Sequence, residues 1–91
     1  MKITPPLEWS DEIARKIETR HAVTIAEVEE ALFDDKPWRD KTRDGKIFVF
    51  AQTVGGRYLL IIIAFRDKAI HLVTARNMED PERKLYQDKR R

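Results

Sequence analysis

Arg76, Arg83, Tyr86 and Arg90 lie in the C-terminal part of the chain, and the last three fall at i, i+3 and i+7, a spacing that a helix places along one face. That stripe is cationic and carries a phenol. Guanidinium groups grip phosphates through paired N–H donors, and an aromatic ring stacks on an unpaired base, as single-stranded RNA recognition requires. RNA also carries its own nucleophile. Its cleavage without a metal needs a base to take the 2′-hydroxyl proton, cations to stabilise the charged phosphorane, and an acid to protonate the leaving oxygen. His21, Tyr86 and an arginine have the chemistry to share those tasks. The same side chains also have plain structural uses: basic residues complement a helix end, Tyr86 can anchor the helix, and His21, where an apolar stripe meets a turn, can cap one.

Other chemistries find little support. His21 and His71 are fifty residues apart and neither belongs to a compact ligand motif, so no metal and no cofactor is expected. Gly55 and Gly56 sit between two strand-like runs rather than before a helix, which makes them a turn and not a phosphate cradle. Ser10 reads as a helix cap and His71 as half-buried sheet packing. Trp9 faces the first helix and belongs to the core, whereas Trp38, in a charged loop, is the better candidate for an interface or a base-stacking platform. Tyr58 has no assigned role.

The chain has 91 residues, 37% charged and 42% hydrophobic, with no cysteine. These proportions predict one soluble domain over residues 1–91, held by packing rather than by disulfides and compatible with the reducing cytoplasm. No secretory signal is read at the N-terminus, and the longest uncharged apolar run, residues 58–65, is too short for a membrane span. Charge is unevenly spread. Residues 1–33 sum to −3 and the remainder to +5, an asymmetry that suits a polyanion partner or simply solvates a small surface.

Several elements must position these residues. Leu7-Glu8-Trp9 alternates like a short strand, Ser10 caps a helix starting near Asp11, and Ile13, Ala14 and Ile17 form its apolar stripe, extended by His21. Thr24-Ile25-Ala26-Glu27 has the spacing of a capping box, and Val23 can staple onto Val28. The second helix then buries Ile25, Val28 and Leu32, leaving Glu27, Glu29 and Glu30 as an acidic outer face. Residues 34–46 read as a loop with an edge strand around Trp38. Residues 47–51 and 58–65 form a hairpin through Gly55-Gly56, and the second strand, apolar on both alternating faces, is central, with helices over one side and another cover, such as a partner, over the other. Arg66-Asp67-Lys68 turns the chain into a last strand over 69–75, and Asp80-Pro81 opens a terminal helix with Asp80 as its cap and Pro81 at the first helical position. The predicted class is α+β: N-terminal helices packed on an antiparallel sheet, with a C-terminal helix. Any active site is then a surface groove.

In order and spacing over nearly the whole chain, the sequence resembles the BrnT family of small ribonuclease toxins from bacterial type II toxin-antitoxin pairs. Trp9 stands twelve residues before His21, Arg20-His21-Ala22-Val23 is similar to the family's Lys-His-Gly-Val, and Gly56-Arg57-Tyr58-Leu59-Leu60 opens the hydrophobic strand. Thr74-Ala75-Arg76, Glu82-Arg83 and Tyr86 resemble the family's Ser-Ala-Arg, Glu-Arg and Tyr. The resemblance implies a RelE-like fold, RNA cleavage that inhibits translation, and neutralisation by a cognate antitoxin through which alone operator DNA is met. It also implies phosphate binding and charge stabilisation by Arg76 and Arg83, base contact or proton transfer by Tyr86, and an acid or base at His21. Ser10, Ile13 and Ile17 depart from the family's Asp, Lys and Asn, so Lys16 and Arg20 become the helix-one cations, joined by Trp38 and Arg90 as RNA contacts. Ala22 replaces a glycine, which disfavours a left-handed helix end. These departures keep open a second function, a catalytically weak or inactive relative that binds protein or nucleic acid.

Overall fold

The computed structural model describes residues 7–32, 38–41 and 44–90, the side chains of Lys41 and Arg90 excepted. After β1 (Leu7–Glu8) the chain enters α1 (Asp11–His21), where Ser10 Oγ accepts from the Ile13 N–H at 3.1 Å and Asp11 and Glu12 occupy the first turn. An oxygen at that position satisfies a backbone donor that the helix leaves unpaired, and first-turn carboxylates complement the dipole. α1 ends at Ala22 in the left-handed region, φ 53° and ψ 37°. The sequence disfavours that ending. It forms because the Ala22 and Val23 N–H groups return to the Glu18 and Ile17 carbonyls at 3.0 and 3.2 Å, offsetting a strain of about 1 kcal/mol.

The capping box of α2 (Ile25–Leu32) closes as its spacing predicts: Thr24 N–H donates to Glu27 Oε1 at 3.0 Å, and Glu27 N–H donates to Thr24 Oγ1 at 3.2 Å. Val23 and Val28 are both fully buried, and Ala31 joins Val28 and Leu32 on the inner face. The outer face is less purely acidic than its sequence suggests. Glu27 turns to Arg57, and Glu30 Oε1 accepts from the Val54 N–H at 3.1 Å, so two carboxylates latch the helix to a β-hairpin.

That hairpin belongs to a sheet of β2 (Trp38–Lys41), β3 (Lys46–Gln52), β4 (Tyr58–Arg66) and β5 (Ala69–Asn77), ordered β1-β5-β4-β3-β2. Strands β2 to β5 form the expected antiparallel meander, with an edge strand at Trp38, although much of the loop predicted over 34–46 lies outside the described residues. β1 pairs parallel to β5, so the sheet is mixed rather than wholly antiparallel. Residue alternation reports which side chains share a face but not the direction of a neighbouring strand, and a two-residue strand takes its direction from where α1 must begin. In the β3–β4 turn only Gly56 adopts positive φ, 92°, where the Thr53 N–H bonds the Arg57 carbonyl at 2.9 Å. The β4–β5 turn places Asp67 and Lys68 at φ 52° and 62°, both without glycine.

β4 is central and apolar on both faces for two different reasons. Leu59, Ile61 and Ile63 pack with Ile17, Val28 and Leu32, forming the core under α1 and α2. Leu60 and Ile62 face the other way, toward Phe50, Met78 and Tyr86. Tyr86 comes from α3 (Asp80–Arg90), so the second cover is the chain's own terminal helix. Burial of each such aliphatic side chain stabilises by about 1.5–3 kcal/mol. α3 begins one residue earlier than Asp80-Pro81 suggests. Arg83 N–H bonds the Glu79 carbonyl at 2.9 Å, making Glu79 the cap, and Glu82 Oε1 accepts from the Glu79 N–H at 2.8 Å. Pro81 still lies in the first turn, where its missing N–H leaves no bond unmade. Among the described residues no helix is long and apolar enough to cross a membrane.

Candidate functional site

β1 pairs only with Ile70 and His71, so β5 beyond its first residues has no strand on that side among the described residues. The C-terminal end of α1 lies along this open edge. Between them runs a shallow groove with Thr19, Arg20, His21 and Ala22 on one wall and Arg76, Asn77 and Glu79 on the other. Thr19 and Arg20 also line a depression shared with Glu12, Arg15 and Lys16. On its other side Asn77 joins Gly56, Arg57, Tyr58, Met78 and Arg83 around a third depression. Asn77 is thus common to the surfaces that carry Arg76 and Arg83.

Arg57 holds the junction together. Its Nη1 donates to both Glu27 carboxylate oxygens at 3.0 and 2.9 Å and to the Ala22 carbonyl at 2.7 Å; Nη2 reaches the His21 carbonyl at 3.1 Å, and Nε reaches Asn77 Oδ1 at 2.7 Å. One side chain therefore ties the end of α1, the start of α2 and the end of β5. Arginine suits this place because its donors form a rigid planar fork and a helix C-terminus offers unpaired carbonyls. Glu27 is held below the usual carboxylate range, first by the Thr24 backbone N–H and then by Arg57, against the opposing effect of burial.

Arg76 faces the groove but is already occupied. Its Nη1 and Nη2 donate to the two Glu82 oxygens at 2.8 and 2.9 Å, and Nη1 also reaches the Asn77 carbonyl at 3.0 Å. This bidentate pair keeps the guanidinium charged and lowers the Glu82 carboxyl, the Arg76 hydrogen bond being the largest cause. Arg83 is exposed and lies over the Tyr58 ring at 4.7 Å, with no ion pair among the described residues. A cation on an aromatic face keeps its outward N–H donors available. Lys16 and Arg20 are exposed on α1, as is Arg15 beside them, while Ile13 and Ile17 point to the core.

The expected base-stacking role of Tyr86 does not suit its placement. The ring is fully buried against Phe50, Leu60 and Met78, edge-on to Tyr58 at 6.0 Å, which is the position of a helix anchor. The half-buried phenol beside Arg83 is instead Tyr58, whose hydroxyl accepts from Gln87 Nε2 at 3.2 Å. Trp38 is also apart from the groove. It lies on β2, the sheet edge opposite β1, stacked on Phe50 at 4.8 Å with Lys89 above it at 5.9 Å. Trp9, read as core, is 41% exposed, and His71 is half-buried in the sheet with Nε2 3.3 Å from the Arg66 carbonyl. The Arg90 side chain lies outside the described residues.

His21, Arg20 and Arg76 are therefore brought to one groove, Arg83 to its neighbour across Asn77, and Tyr86 and Trp38 to the second core. Sequence reasoning missed Arg57, Tyr58 and Asn77 as shapers of the site. An arginine directly after a hairpin turn is a signal, but nothing in spacing links it to Glu27 thirty residues away. Among the described residues no group of three or more histidine, aspartate or glutamate side chains could hold a metal ion.

Among the described residues, two helices on one face of a mixed five-stranded sheet and a third on the other define an α+β fold. The same fold is found in the crystal structure of the ribonuclease toxin BrnT from Brucella abortus, with a TM-score of 0.70 over 85% of this chain and 100% of that chain, at 14% sequence identity. No family model and no curated protein matches the sequence.

Proposed function

We propose that residues 1–91 form a BrnT-like toxin of a type II toxin-antitoxin pair, a metal-independent endoribonuclease that acts in the cytoplasm, inhibits translation, and is neutralised by a cognate antitoxin. Operator DNA is then met only through that antitoxin. The observation that carries this reading is the groove between α1 and β5, where an imidazole and guanidinium groups converge on a fold shared with a ribonuclease toxin. Arg20 and Arg83 draw the phosphodiester in from either side of Asn77. His21 takes the 2′-hydroxyl proton; the 2′-oxygen then bonds to phosphorus, the bond from phosphorus to the 5′-oxygen breaks to leave a 2′,3′-cyclic phosphate, and the departing 5′-oxygen takes a proton from solvent water. Arg76 stabilises the charge that develops on the phosphoryl oxygens, at a strength reduced by its Glu82 partner.

A second reading is favoured by two specific features: Tyr86 is buried and Arg76 is held by Glu82. A catalytically weak or inactive relative, binding protein or nucleic acid through the same cationic surface, has that form. Expression of the chain alone in a bacterium separates the two. Growth arrest with RNA loss, relieved by His21→Ala or Arg83→Ala at equal protein level, supports the nuclease; harmless accumulation of wild-type protein with intact RNA rejects it.

A further inference from the structure

Asn77 is held at both of its oxygens. Its Oδ1 accepts from Arg57 Nε at 2.7 Å, and its main-chain carbonyl accepts from Arg76 Nη1 at 3.0 Å. An arginine has donors and no acceptor, so the amide can be oriented only one way, with Oδ1 toward Arg57 and the NH2 group directed away from it. Asn77 is exposed and lines both the His21–Arg76 groove and the Arg57–Arg83 depression, and its NH2 group has no acceptor among the described residues. The neighbouring guanidinium groups are engaged: Arg57 by Glu27 and two carbonyls, Arg76 by Glu82. Between these two balanced ion pairs Asn77 offers open, oriented donors on a neutral side chain, beside the exposed cations Arg20 and Arg83.

We propose that Asn77 is a phosphate-oxygen-binding residue of this groove, its amide donors aimed by Arg57. The assignment rests on the part of the reading above that places RNA in this groove, not on its cleavage. A donor whose orientation is set before the ligand arrives loses little freedom on binding, and a hydrogen bond to an anionic oxygen is stronger than one between neutral groups. Because the amide carries no charge, Asn77 contributes affinity without releasing a counterion. Arg83, by contrast, contributes through its charge as well.

The test uses a fluorescein-labelled oligoribonucleotide with 2′-O-methyl riboses, which has no free 2′-hydroxyl and cannot be cleaved, titrated against the full chain from low to moderate salt. Asn77→Ala is expected to weaken binding by about tenfold with the slope of log affinity against log salt unchanged, whereas Arg83→Ala lowers that slope by about 0.7. Asn77→Asp keeps an oxygen for Arg57 and so preserves the junction, but replaces the donors with a charge, and is expected to weaken binding at least as much. Thermal unfolding of each variant checks that the fold is retained. Wild-type binding that Asn77→Asp leaves unaltered overturns the assignment while the nuclease reading stands. Weakened Asn77 variants beside a wild type that leaves intact a second oligonucleotide, of the same sequence with free 2′-hydroxyls throughout, support the assignment and reject the nuclease reading. A wild type that binds neither oligonucleotide overturns both.

Discussion

The Arg57 guanidinium lies 2.9 and 3.0 Å from the two carboxylate oxygens of Glu27, across thirty residues of sequence. Both side chains are about a quarter exposed, and the same guanidinium closes the end of α1. Arg57→Ala removes a charge partner and leaves two helix-end carbonyls without their donor, and is expected to lower unfolding free energy by about 2–3 kcal/mol. Glu27→Gln removes the charge and turns one of the two acceptor oxygens into a donor while the other still serves Thr24, and is expected to cost about 1 kcal/mol, since solvent screens the pair. Urea denaturation of both variants measures the difference; equal effects would count against Arg57 as the junction.

Acid sensitivity follows from two lowered carboxylates among the described residues. Glu27 and Glu82 sit below the ordinary glutamate value of 4.5 in the folded chain, so the unfolded state binds protons first as pH falls. Their contribution is complete above about pH 4.5 and is lost as pH drops through the lower folded values. Thermal midpoints recorded from pH 7 to pH 3 should fall mainly below that point, and Glu27→Gln combined with Glu82→Gln should flatten the acid limb.

Tyr86 and Arg83 neighbour Tyr58 from opposite environments, one buried and one exposed. Tyr86→Ala opens a cavity among Phe50, Leu60 and Met78 and is expected to destabilise by about 3–5 kcal/mol. Arg83→Ala removes an exposed cation–π contact worth about 0.5–1 kcal/mol and, on the proposed nuclease reading, should relieve growth arrest in a protein that remains folded. Circular dichroism together with growth assays checks this split.

Two left-handed residues offer stabilising substitutions. Lys68 has φ 62° in a two-residue hairpin turn, and Ala22 has φ 53° at the end of α1. Glycine adopts both conformations without the Cβ clash, so Lys68→Gly and Ala22→Gly are each expected to add about 0.5–1 kcal/mol, a rise of roughly 3–6 °C in Tm. Calorimetry measures it, and an unchanged or lower midpoint for both would refute the strain argument.

The helices and the meander were legible because they are written locally. Ser10 three residues before Ile13, Thr24 three before Glu27, and the unbroken apolar run through β4 each state a short-range physical requirement. The reversal of β1 was not legible, nor was the identity of the second cover, because both depend on which edge or face the remaining chain leaves free. Tyr86 illustrates this limit: its helical spacing from Arg83 and Arg90 is real, yet α3 rotates the phenol inward, where Leu60 and Phe50 present apolar surface.

Sequence alone determined the capped starts of α1 and α2, the two-faced central strand, the turns and the cationic character of the second half. Tertiary structure alone decided which of those cations keep open donors, since Arg57 and Arg76 meet carboxylates from other elements while Arg83 meets an aromatic face. The physical reason is range. Capping and periodicity act over three or four residues, but electrostatic pairing and exposure depend on neighbours that only the folded chain brings within hydrogen-bond distance.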